Sequence, residues 1–90
     1  MTTVRFIVEG RVQGVGFRRY VLHQAHQLNV TGFVANLEDG RVECVAQGSS
    51  DAVTELEMRL RQGPRLSKVT SVTCIDVETE PRMYNQFRIV

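Results

Sequence analysis

The chain has 90 residues, 42% of them hydrophobic and 23% charged, with two prolines; this suits one small domain over residues 1–90 and excludes a two-domain enzyme or a disordered tail. Eleven Lys plus Arg against ten Asp plus Glu give a net charge of +1, far from the basic excess that neutralises nucleic-acid phosphates. No uninterrupted apolar run exceeds three residues, so neither a membrane-spanning helix nor a secretory segment fits, and the chain reads as cytoplasmic.

Val4, Phe6 and Val8 alternate with Arg5, Ile7 and Glu9, which predicts a half-buried strand over residues 4–9. Gly10-Arg11-Val12-Gln13-Gly14-Val15-Gly16 follows; three glycines in so short a stretch predict a loop. From Phe17 to Leu28 the apolar residues Phe17, Val21, Ala25 and Leu28 recur at helical spacing, with Leu22 widening the stripe and Asn29 at its end. Thr31 to Asn36 reads as a second strand, and Asp39-Gly40 predicts a hairpin because both turn residues tolerate positive φ.

The third strand follows, with Val42, Cys44 and Ala46 facing the core and Arg41, Glu43 and Gln47 alternating onto a more solvated face, as far as Gly48. Two serines and Asp51 offer N-cap oxygens to a second helix whose buried stripe is Val53, Leu56 and Leu60 and which Gly63-Pro64 ends. A fourth strand is expected from Lys68 to Glu78 and a short fifth from Asn85 to Val90. This order predicts an α+β fold, the ferredoxin-like split βαβ sandwich (βαββαβ plus a short C-terminal strand), with an antiparallel sheet carrying both helices on one face.

Several chemistry-bearing residues read as structural. Cys44 and Cys74 lack redox or zinc spacing and are expected to be small buried hydrophobes. His23 and His26 share a helix face without a third ligand at suitable spacing, so no metal is expected. Asp76, Glu78 and Glu80 read as the solvated side of a strand and its exit.

The loop with glycines at 10, 14 and 16 is different. It leads directly into a helix, so it can present successive main-chain N–H groups and the positive end of the helix dipole to one small volume, an anion pocket. Arg18 in the first helical turn can reach the same anion, and a cation at that position is disfavoured by the dipole unless an anion is present. The Walker pattern is missing, since Phe17 and Arg18 follow Gly16, and Arg19 stands where the dinucleotide pattern needs a third glycine. Gln13 either orients the loop through its side chain or is simply exposed, and the sequence leaves both open.

The run Val8-Glu9-Gly10-Arg11-Val12-Gln13-Gly14-Val15-Gly16-Phe17-Arg18 resembles the first acylphosphatase signature, with its Gly-x-Val-Gln-Gly-Val-x-Phe-Arg core complete. Gly32-Phe33-Val34-Ala35-Asn36, followed by Asp39-Gly40, Val42 and Gly48, resembles the second, and Phe87-Arg88-Ile89 resembles the family's ending. The resemblance implies hydrolysis of an acyl phosphate, the small-molecule partner, to a carboxylate and inorganic phosphate, without metal or cofactor. It makes Arg18 the phosphate-binding catalytic arginine and Asn36 the residue that holds the attacking water. The phosphate cradle is then the main chain of Val12, Gln13, Gly14, Val15, Gly16 and Phe17, which inorganic phosphate or sulfate also fits. A carboxylate leaves without a general acid, and a loose phosphoryl transition state needs mainly charge stabilisation and alignment.

Two other readings belong to different classes. A non-catalytic regulatory module that binds phosphate or carbamoyl phosphate suits the same fold, which by itself fixes no function. An RNA-binding domain on this fold needs stacking aromatics, and the third strand has none. A domain of a larger carbamoyl-phosphate-handling protein is disfavoured by a chain that starts at Met1 and ends just after its last strand, and a monomer without nucleic-acid or membrane partners is expected.

Overall fold

A computed structural model describes residues 1–77 and 82–90. Its elements run β1 (Thr2–Arg11), α1 (Phe17–Gln27), β2 (Thr31–Asn36), β3 (Val42–Gly48), α2 (Ser50–Gln62), β4 (Lys68–Asp76) and β5 (Phe87–Ile89). They build a sheet in the order β4-β1-β3-β2-β5. The β1–β3, β1–β4 and β2–β3 pairs are antiparallel, whereas β5 lies parallel to β2. The sheet is therefore mixed rather than wholly antiparallel, because the connection after β4 carries the chain to the opposite edge before β5 pairs.

Both helices pack on one face. Phe17, Val21 and Ala25 of α1 and Val53, Leu56 and Leu60 of α2 are buried against Phe6, Val8, Val34, Cys44 and neighbouring sheet residues in one cluster. Leu56 and Leu60 are fully enclosed, so truncating either to Ala costs about 2–5 kcal/mol. The helices also meet through Tyr20, whose hydroxyl donates to the Arg59 carbonyl at 3.0 Å.

The helix ends follow from local chemistry. Asn29 adopts φ 57° after α1, and the N–H groups of Asn29 and Val30 donate to the carbonyls of His26 and Ala25, the paired bonds of a Schellman cap. Ser49 caps α2, its Oγ accepting from the Ala52 N–H at 3.1 Å.

Four further expectations need correction. First, β1 runs on through Gly10 and Arg11, with a register shift between Glu9 and Gly10. A Cβ at Gly10 would run into the Lys68 carbonyl, so this glycine serves close strand approach at a bulge and not the loop. Second, the hairpin spans three residues: Leu37 N–H donates to the Arg41 carbonyl and Gly40 N–H to the Leu37 carbonyl, and of Asp39 and Gly40 only Gly40 has positive φ.

Third, Gln47 is buried at 1% exposure rather than solvated. Its Nε2 donates to Thr3 Oγ1 and the Arg82 carbonyl, and its Oε1 accepts from Tyr84 N–H; residues 82–84 thus cross the open sheet face and cover it. Fourth, Cys74 is exposed, while Cys44 is buried as expected. The expected end of the fourth strand at Glu78, and the acidic residues Glu78 and Glu80, lie outside the described residues.

Candidate active site

The loop between β1 and α1 is held from below by apolar anchors. Val12 and Phe17, at its two ends, are each 1% exposed, and Val15 packs partly against the same core. Between them Gly14 and Gly16 take φ of 73° and 78°, left-handed conformations that L side chains resist. A Cβ at either glycine would meet only open space. Backbone conformation, not crowding, is therefore what demands glycine at both positions.

Gly16 is the N-cap of α1; it supplies no side-chain cap, and the first turn contains no acidic residue. Among the described residues, the N–H groups from Gln13 to Arg19 find no acceptor within the protein. Unsatisfied donors at a helix N-terminus, reinforced by the dipole, form the electrostatic arrangement that stabilises an anion.

Arg18 stands in the first turn of α1, half-buried, and its Nη1 lies 3.5 Å from the Val90 main-chain oxygen. Val90 N–H in turn donates to the Val34 carbonyl of β2 at 2.9 Å. The residue after β5 thus connects Arg18 to the strand that carries Asn36. Val90 is a contact that sequence reasoning missed; the two residues are 72 positions apart, and no local pattern links them.

Asn36 is the last residue of β2, paired with Val42. Strand alternation puts it on the same face as buried Val34, the face that packs α1, but beyond the core, where it is exposed. Among the described residues its side-chain amide makes no hydrogen bond within the protein, which leaves its oxygen free to accept from water. The neighbouring hairpin is firm: Asp39 accepts from the Arg41 main chain at 3.1 Å and from its guanidinium at 2.8 Å. Those bonds, the main-chain one first, hold the Asp39 carboxyl below the ordinary carboxylate range.

Gln13 brings the two parts together. Its Nε2 donates to the Leu37 carbonyl at 2.8 Å and the Arg41 carbonyl at 3.0 Å, so of the two readings left open by the sequence the orienting one applies. The glycine loop and the hairpin that follows Asn36 are joined directly.

Other candidate groups stand apart. Burial pushes the Cys44 thiol far up, with Glu43 adding to the effect. Partial burial and then Glu57 raise Cys74, so neither thiol has the lowered pKa of an activated nucleophile. His23 and His26 are exposed, and no group of three or more His, Cys, Asp or Glu is gathered for a metal among the described residues. A cavity of about 550 Å³ lies along β2 and β5 with Phe33, Arg82, Tyr84 and Arg88 in its wall and no residue of the 12–17 loop. An anion the size of phosphate needs a set of donors more than a deep cavity.

Comparison with known proteins bears on the family and the fold. The acylphosphatase family model matches residues 4–89. An acylphosphatase from Koribacter versatilis is 46% identical over 97% of this chain and 78% of its own length. The crystal structure of acylphosphatase from Bacillus subtilis superposes with a TM-score of 0.95 at 38% identity, covering 100% of this chain and 99% of that one. Full-length HypF in its phosphate- and nucleotide-bound form matches with a TM-score of 0.88 at 29% identity, over 100% of this chain but 12% of that one. Strand order, family model and matching relatives agree, and the chain belongs to the acylphosphatase family as an enzyme that hydrolyses acyl phosphates.

Proposed function

We propose that the loop from Val12 to Phe17 and the Arg18 guanidinium hold the phosphoryl group of an acyl phosphate while Asn36 orients the water that attacks it. The observation that carries this reading is the run of N–H groups from Gln13 to Arg19 that find no acceptor among the described residues, in a loop that leads into Arg18 and that Gln13 ties to the hairpin following Asn36. Such donors cost no reorganisation as charge spreads over the equatorial oxygens, and they bind the transition state more tightly than the ground state.

Asn36 acts by alignment. Its amide oxygen accepts a hydrogen bond from water and sets that water in line with the departing carboxylate. The water oxygen bonds to phosphorus as the bond from phosphorus to the acyl oxygen breaks, and the electron pair leaves with the carboxylate. Both water protons remain with the new phosphate, which then equilibrates with solvent. The leaving group is already a weak base, so the reaction asks for no general acid.

On this reading the chain works as one domain and as a monomer, in the cytoplasm, without metal or cofactor, and inorganic phosphate competes for the loop. The test is hydrolysis of benzoyl phosphate with EDTA present, comparing wild type with Arg18→Ala and Asn36→Ala. Fast wild-type turnover that both folded variants lose is expected. Activity that EDTA abolishes, or that survives in Arg18→Ala, overturns the reading.

A further inference from the structure

We propose that Gln13 is a positioning residue that fixes the phosphate loop relative to Asn36, a role that rests on the functional reading above. The two carbonyls that its Nε2 reaches belong to residues 24 and 28 positions away. They are those of Leu37, which directly follows Asn36, and of Arg41, its partner across the mouth of the hairpin. An amide nitrogen carries two hydrogens, and here each has an acceptor, so both the orientation of the side chain and the separation of the two segments are set.

The loop's other anchors, Val12, Phe17 and the partly packed Val15, are apolar contacts with the core. Burial of that kind is non-directional; it holds the loop down without fixing its distance from β2. A pair of hydrogen bonds to one hairpin supplies the missing restraint. In-line attack depends on that distance, because phosphorus is held by the loop and water by Asn36, and a displacement of about 1 Å can cost roughly a hundredfold in rate. The Gln13 side chain itself reaches neither, since both its N–H bonds go to the hairpin.

Two variants separate positioning from simple bracing. Gln13→Met keeps the length and removes both donors. Gln13→Glu keeps the shape but, when ionised, turns oxygens toward two carbonyls. We expect kcat for benzoyl phosphate to fall about tenfold or more in Gln13→Met and further in Gln13→Glu at neutral pH, while inhibition by inorganic phosphate changes less than about threefold. Lowering the pH should return part of the loss in Gln13→Glu alone, because the protonated carboxyl regains one donor.

The decisive arm is a double-mutant cycle. In an Asn36→Ala background, Gln13→Met should cost less than about twofold, since no oriented water remains to be misplaced. Equal losses in both backgrounds, full kcat in folded Gln13→Met, or phosphate affinity falling in step with kcat would each overturn the proposal. Full activity in Asn36→Ala alone would instead overturn the reading on which it rests.

Discussion

Gln13 and Gln47 each use a side-chain amide to tie an irregular segment to the sheet. Gln47 is enclosed at 1% exposure and holds residues 82–84 across the open face, with its donor and acceptor atoms both engaged. Gln13 is half-buried and holds the glycine loop against a hairpin at the strand ends. The same chemistry serves different ends: a lost bond around Gln47 strands polar groups under cover, where desolvation makes them costly, while a lost bond at Gln13 leaves groups that water can reach. Stability is therefore expected to depend on the open face and turnover on the loop.

The sharpest way to break this division is at Arg18. Arg18→Ala should lower turnover by at least about a thousandfold with little change in thermal stability, since a preorganised donor is removed from a solvent-facing position. Retention of more than about a tenth of the activity in the hydrolysis assay would contradict it. Asn36→Ala should fall by roughly a hundredfold, with inhibition by phosphate largely kept, because in the proposed mechanism the residue acts on water and not on phosphate.

Gln47→Leu tests the other side. It removes three hydrogen bonds and is expected to cost about 2 kcal/mol, a drop of roughly 10 °C in Tm for a domain of this size, with kcat within about twofold of wild type. A loss of turnover larger than the loss of stability would dissolve the distinction between the two regions.

The smallest effect concerns pH. The folded Asp39 carboxyl lies below its ordinary range because of its bonds to Arg41. The stability it adds is present above the unfolded pKa and fades as pH falls through the folded one. Asp39→Asn should therefore lower Tm slightly at neutral pH and converge with wild type in acid; the side chain is exposed, so the difference is small. A gap in Tm that widens in acid would contradict this.

Much of the fold was legible because its signals are local. The stripes of α1 and α2, the serine before α2 and the asparagine after α1 act within a turn or two of themselves. The loop was legible for the same reason, with glycines at positive φ leading into a helix that lacks a capping side chain. The burial of Gln47 is not legible, because strand alternation assigns a face but not what later crosses it, and its partners Arg82 and Tyr84 lie 35 and 37 positions on. The local pattern puts Gly10 in the loop because nothing near it in the sequence reports that Lys68 approaches its main chain. The contact of Val90 with Arg18 and the hold of Gln13 on the hairpin are likewise products of topology.

The most direct test of the account is titration of the protein with inorganic phosphate, followed by main-chain amide NMR. The account predicts shifts concentrated at Gln13 to Arg19, lost in Arg18→Ala and retained in Asn36→Ala. Shifts that instead gather along the open-face cavity around Arg82 and Arg88, or that vanish in Asn36→Ala and persist in Arg18→Ala, would contradict it.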